Sequence, residues 1–211
     1  MKLLEVKELS IPSVKVLKFQ RFCDNRGYFT ETYRESQVVE EIPLMRASAF
    51  VQANESFSRK GVVRGLHFQW NPYMGKLVRT VQGEMVDIFL DIRKGSPTFG
   101  EAAAYRLASS PDGECGEWIW VPPGFAHGNY FTRDTTIEYL CSGEYSPGCE
   151  AGISPLSGDI GWSLCEPELK REFDRVVAEG GLMADKDRNG FCVATWAADP
   201  RSSNFPYESL R

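Results

Sequence analysis

His67 and His127 are the only histidines among 211 residues, and histidine is the side chain best suited to moving protons near neutral pH. His67 lies in the strand-like run RGLHFQ, and His127 in PPGFAHG, a glycine-bounded turn that enters a strand. A strand histidine taken alone is more often structural than catalytic, so each needs supporting groups. Metal-binding small β-barrels habitually use three histidines and a glutamate, whereas here there are two, with no HxH pair. No metal site is expected. A GxSxG nucleophile elbow and a GxxxxGK[ST] phosphate loop are both absent. The other ionisable candidates are Lys76, Asp87, Tyr139, Tyr145 and Asp187, with arginines at 26, 64 and 93. Each is ordinary by itself, and they gain weight only as a set.

Strands must position that set. Residues 76–82 and 85–93 are two β-rich runs with Gly83 between them, which predicts a hairpin turn at the glycine. In the second run Val86, Ile88, Leu90 and Ile92 share one face, and Met85, Asp87, Phe89, Asp91 and Arg93 the other. The mixed face suits either a pocket lining or a solvated surface. Further strands are expected at 62–69, 117–121, 129–132 and 136–141, punctuated by Pro122-Pro123-Gly124 and Ser146-Pro147-Gly148. Many short strands with turn residues between them indicate an all-β sandwich, jelly roll or barrel. A short helix is expected at 35–41, stopped by Pro43. A longer one carries Leu169, Phe173, Val176 and Val177 on one stripe, between Pro167 and Gly180-Gly181. One domain over 1–211 is expected, with a helical extension at about 165–211.

The charge balance is ordinary: a quarter of the residues are charged, and the net charge is -5. That argues against a general grip on nucleic acid but permits a local cationic pocket for a small anion. The N-terminal run MKLLEVKELSIP is broken by charges and does not read as a signal peptide, and no stretch approaches a membrane span. A cytoplasmic protein without membrane contact is expected. The six cysteines form no CxxC pair, which suits free thiols rather than bridges or zinc ligands.

Several motifs in one order carry a specific likeness. FCDNRGYFTE (22–31), VQANESFS (51–58), GVVRGLHFQ (61–69), GKLVRTVQGEMVDIFLDIRKGSPTFG (75–100), WVPPGFAHG (120–128) and EYLCSGEYSP (138–147) resemble the dTDP-4-dehydrorhamnose 3,5-epimerase family. The resemblance implies a metal-free, cofactor-free cupin-like jelly roll that usually works as a homodimer on a nucleotide-diphosphate sugar. It implies that His67 is the base, oriented by Asp187, that Tyr139 is the acid on the opposite face, and that Lys76 lies near the keto oxygen. Arg26, Glu31, Gln52, Asn54, Arg64, His127 and Tyr145 match positions that line the substrate and nucleotide site.

The chemistry asks for the same residue types. A ketone at C4 acidifies the hydrogens on C3 and C5, but an imidazole with a pKa of about 6.5 still needs the enolate oxygen stabilised by a cation such as Lys76. A carboxylate behind the imidazole fixes its tautomer. Inversion needs a donor on the other face, which a tyrosine supplies. The arginines suit a diphosphate.

The chain also departs from the family pattern. Asn129 stands where an aromatic residue usually follows the AHG, Met183-Ala184 precede the carboxylate in place of Leu-Ser, and ISPLSGDIGW (153–162) is shorter than its counterpart. An added helix separates that segment from Asp187, so Asp159 stays open as an alternative partner for His67. The leading expectation is two-centre epimerisation of dTDP-4-keto-6-deoxy-D-glucose to dTDP-4-keto-L-rhamnose. The alternatives are a single-centre epimerase, an epimerase for another nucleotide sugar, and a catalytically silent sugar-binding barrel.

Overall fold

The structure, a computed structural model, describes residues 2–42 and 50–210. Strands β1 (Leu3–Glu8), β2 (Lys15–Gln20), β3 (Phe22–Asp24) and β4 (Gly27–Phe29) lead into α1 (Glu35–Glu41). The central run holds β5 (Gln52–Ser58), β6 (Val63–Gln69), β7 (Lys76–Asp91), β8 (Ala102–Ser109), β9 (Cys115–Val121), β10 (Phe125–Phe131), β11 (Thr135–Cys141) and β12 (Glu150–Gly152). The C-terminal part holds α2 (Pro167–Ala178), α3 (Asp185–Arg188), α4 (Val193–Ala198), a 3-10 turn (Pro200–Asn204) and α5 (Tyr207–Leu210). Helices α1 and α2 fall where the sequence places them. Pro43, the expected stop for α1, lies outside the described residues.

Two antiparallel walls share one long strand. The first half of β7 pairs with β9 and β11, giving the order β1-β2-β9-β7-β11-β5. Its second half pairs with β8 and β10, giving β8-β7-β10-β6-β12. This is the all-β, cupin-like jelly roll. The expected hairpin at Gly83 is therefore corrected: β7 runs straight through it for 16 residues. The glycine is needed for a different reason. Its φ is +93°, and a Cβ there would lie 2.5 Å from the Asp134 carbonyl oxygen, so the strand bends from one wall to the other where only glycine fits.

Alternation along β7 explains how the layers cohere. Val86, Ile88, Leu90 and Ile92 face outward into a core completed by Leu169, Phe173 and Val176 of α2 and Trp196 of α4. Met85 and Phe89 face inward and meet Ile119, Val121, Phe125, Phe131 and Ile137 between the walls. On the far side of the first wall, Leu77, Trp118 and Trp120 pack under Val38 of α1. Both faces of the second half of β7 are thus buried, and an ionisable residue there must be paired. Asp91 accepts from Arg93 Nη2 at 2.8 Å, Arg93 Nε at 3.0 Å and Ser96 Oγ at 2.6 Å. Arg93 in turn donates to the Leu210 carbonyl at 3.2 Å and lies over the Phe125 ring, which ties the C-terminal end to the barrel. Asp91→Ala leaves this guanidinium buried without its counter-ion. The expected loss is about 3–5 kcal/mol, read as a lower urea midpoint at unchanged slope.

Candidate active site

The site is assembled from both walls. Strand β6 brings His67 and β10 brings His127, and the two stand opposite one another in the β6–β10 ladder. The two neighbouring strands approach closely here: a Cβ on Gly65 would lie 2.6 Å from the Gly128 Cα. Facing them, β11 brings Tyr139, β5 brings Gln52 and Asn54, and the start of β7 brings Lys76. His67, Lys76 and Tyr139 wall two adjoining cavities of about 390 and 280 Å³. The first is completed by Gln52, Asn54, Tyr145 and Glu150. The second is completed by Arg64, His127, Lys186 and Asp187.

Two histidine–carboxylate pairs sit side by side. His67 Nε2 lies 2.6 Å from Asp187 Oδ1, and the Gly65 N–H donates to Asp187 Oδ2 at 3.2 Å. Asp187 is nearly inaccessible while His67 remains one-third exposed to the cavity. A carboxylate at Nε2 demands a donor, so neutral His67 carries its proton there and leaves the Nδ1 lone pair available. Burial alone would raise the Asp187 carboxyl, but the His67 hydrogen bond, the His67 charge and the Gly65 N–H together hold it below its ordinary value. A depressed carboxyl stabilises the fold above its unfolded pKa of about 3.9, and that contribution is lost as pH falls through the lower native value. Wild type should therefore lose its stability advantage over Asp187→Asn in acid, which unfolding titrations at pH 6 and pH 2.5 would compare.

The second pair is His127 Nε2 with Asp87, at 2.8 and 2.9 Å to the two carboxylate oxygens. Burial pushes the His127 imidazole below its ordinary range against the pull of Asp87, so it is a neutral donor to that carboxylate. Lys76 is also shifted down by burial, against the opposing charges of Cys141, Asp87 and Glu150. Burial raises the Tyr139 phenol, keeping it protonated at neutral pH. Arg64 is held by Ser58 Oγ at 2.9 Å and by the Phe57 carbonyl at 3.3 Å, with its charge in the second cavity.

The structure thus gathers His67, Lys76, Tyr139, Asp187, Gln52, Asn54, Arg64, His127 and Tyr145. It does not bring Arg26 or Glu31 to the same cavities. Arg26 is 85% exposed on the β3–β4 hairpin and pairs with Asp24, and Glu31 pairs with Arg34. The alternative partner Asp159 is set aside by geometry: it accepts from Ser157 and from the backbone N–H groups of Val193 and Ala194 at the start of α4. Sequence reasoning missed Glu150, which faces the first cavity from the three-residue β12, and Lys186, which faces the second. It named Asp87 without a role, although the alternation of β7 had placed it on the inner face.

A family model described as dTDP-4-dehydrorhamnose 3,5-epimerase matches residues 8–195. The chain belongs to this family. The epimerase is 39% identical over 191 residues to the dTDP-4-dehydrorhamnose 3,5-epimerase of Shigella flexneri, covering 89% of this chain and 94% of that one. It is 37% identical to the enzyme of the same description from Neisseria gonorrhoeae, over 99% of this chain but 58% of the longer relative. Its fold superposes with a TM-score of 0.78 and 31% identity on an epimerase from Legionella pneumophila solved with dTDP-4-keto-L-rhamnose, covering 96% and 97% of the two chains. Among the described residues of the epimerase, no helix is long and apolar enough to cross a membrane.

Proposed function

We propose that the enzyme inverts C3 and C5 of dTDP-4-keto-6-deoxy-D-glucose to give dTDP-4-keto-L-rhamnose, with His67 as base and Tyr139 as acid. The observation that carries this is their placement: base and phenol come from facing walls of one cavity, with Lys76 also lining it. His67 Nδ1 takes the proton from a carbon beside the ketone, and the electron pair moves onto the C4 oxygen as an enolate. Lys76 neutralises that oxygen. Tyr139 then protonates the carbon from the other face, and solvent restores the imidazole and the phenol. Asp187 stabilises the imidazolium between the two transfers. His127 and Arg64 line the substrate cavity, with Arg64 meeting the diphosphate by charge-assisted hydrogen bonds. Gln52, Asn54 and Tyr145 line its mouth. Every proton transfer in this scheme is carried by side chains of the cavity, with His67 and His127 each held through Nε2 by a carboxylate.

Arg26 and Glu31 fit the scheme in a homodimer. Their segment is exposed and aromatic, with Phe29 71% exposed and Phe22 and Tyr28 both near half. Such a hairpin suits burial against a second copy, where Arg26 reaches that copy's diphosphate. Phe29→Asp should shift the sedimentation-equilibrium mass from dimer to monomer. The six cysteines are all free, as suits a cytoplasmic enzyme.

Product analysis tests the activity. NMR couplings of the reaction product should report both centres inverted. One inverted centre would make the enzyme a single-centre epimerase, and an unchanged sugar would remove the proposal. Lys76→Met should lower kcat by roughly 10²–10³-fold with little change in KM. Because burial lowers the Lys76 ammonium, the alkaline limb of kcat should fall below the ordinary lysine value of about 10.4. Lys76→Arg should move it upward.

A further inference from the structure

A polar chain runs from the cavity rim to the phenol. Across the β5–β11 ladder Asn54 stands opposite Tyr139, and Gln52 stands opposite Cys141, so the four side chains share the inner face. The backbone N–H of Tyr145 donates to Gln52 Oε1 at 2.8 Å. Gln52 Nε2 donates to Asn54 Oδ1 at 3.1 Å, Asn54 Nδ2 lies 3.5 Å from Cys141 Sγ, and the Asn54 side chain, cross-strand neighbour of Tyr139, pulls the phenol down against the effect of burial.

A backbone N–H can only donate, so the direction of every link is fixed from the rim inward. Gln52 must turn its oxygen to Tyr145 and its amide to Asn54. Asn54 must then turn its own amide toward the phenol. A donor at this place leaves the phenolic proton unspent, whereas an acceptor would take it. We infer that Gln52 and Asn54 are positioning residues for the acid: they hold an N–H on the Tyr139 oxygen and so aim the phenolic O–H at the sugar ring. This rests on the reading of Tyr139 as the acid and goes beyond contact with the nucleotide sugar. As the phenol gives up its proton, the Asn54 N–H···O bond becomes charge-assisted and strengthens.

The test is Gln52→Glu, which keeps the shape and the acceptor for Tyr145 but presents a carboxylate oxygen to Asn54. Asn54 then turns over and offers its oxygen to the phenol. The expected result with dTDP-4-keto-6-deoxy-D-glucose in deuterated water is a loss of inversion of about 10²-fold in kcat, with KM and base-side deuterium exchange nearly unchanged. Lowering the pH should raise the ratio of inversion to exchange in this variant, as the introduced carboxylate protonates and again donates to Asn54. Asn54→Asp should reproduce the neutral-pH loss if Gln52→Glu folds poorly. The inference is overturned if inversion and exchange fall together, if only KM moves, or if the ratio ignores pH. Tyr139→Phe separates the two levels. If it abolishes inversion and spares exchange while Gln52→Glu does nothing, the positioning role fails alone; if it spares inversion, the acid assignment fails first.

Discussion

Replacing His67 with Gln should abolish deuterium uptake at both C3 and C5 and lower kcat by roughly 10³–10⁴-fold. The substitution is chosen so that the fold survives. A glutamine Nε2 reaches the place of the imidazole Nε2 and can still donate toward Asp187, which is nearly inaccessible and would otherwise be left with an unpaired carboxylate oxygen. What the variant lacks is the second ring nitrogen, the lone pair that takes the carbon-bound proton. Substrate affinity should change little, because Lys76, Arg64 and His127 stay in place as cavity walls. Single-turnover deuterium exchange followed by NMR separates this outcome from a binding defect. A variant that exchanged at wild-type rate with unchanged KM would show that another group is the base.

Asp187→Asn should cost nearly as much, roughly 10³–10⁴-fold in kcat, although it adds no bulk and empties no space. The reason lies in the Gly65 N–H, which donates to Asp187 Oδ2 at 3.2 Å. An asparagine must turn its oxygen to that fixed donor, and its amide then faces His67 Nε2. The imidazole is forced to accept at Nε2 and to carry its proton at Nδ1, where the base needs a lone pair. The geometry survives and the tautomer is wrong. Neutron diffraction or the 15N chemical shifts of His67 should show the exchanged tautomer directly, and kcat should fall without a matching rise in KM. An active variant with an unchanged tautomer would refute the role given to Asp187.

Much of this arrangement was legible because strand alternation marks which residues share a face. The alternation of 85–93 separated the outward core from the inward row, and Asp87 on that row turned out to partner His127. The helical stripe of Leu169, Phe173 and Val176 likewise named the residues that cover the barrel. Gly83 was misread because an isolated glycine between two β-rich runs looks the same whether the chain turns back or bends onward. Only the close approach of the Asp134 carbonyl distinguishes them, and that is a tertiary fact. Strands β5 and β8 went unseen for local reasons. QANESFS is polar because one of its faces lines the cavity, and AAAYRLAS carries alanines rather than β-branched residues. The Asp187–His67 contact joins residues 120 apart and was reached only through family likeness. Choosing it over Asp159 required the structure, which shows Asp159 engaged at the start of α4.

The most direct test of the central claim is incubation of the metal-stripped wild-type enzyme with dTDP-4-keto-6-deoxy-D-glucose in deuterated water, followed by NMR of the sugar ring. Proton transfer between facing walls predicts solvent deuterium at both C3 and C5, each in a product of inverted configuration. A sugar that returns with neither carbon labelled, from protein shown to be folded and to bind the nucleotide sugar, would contradict it.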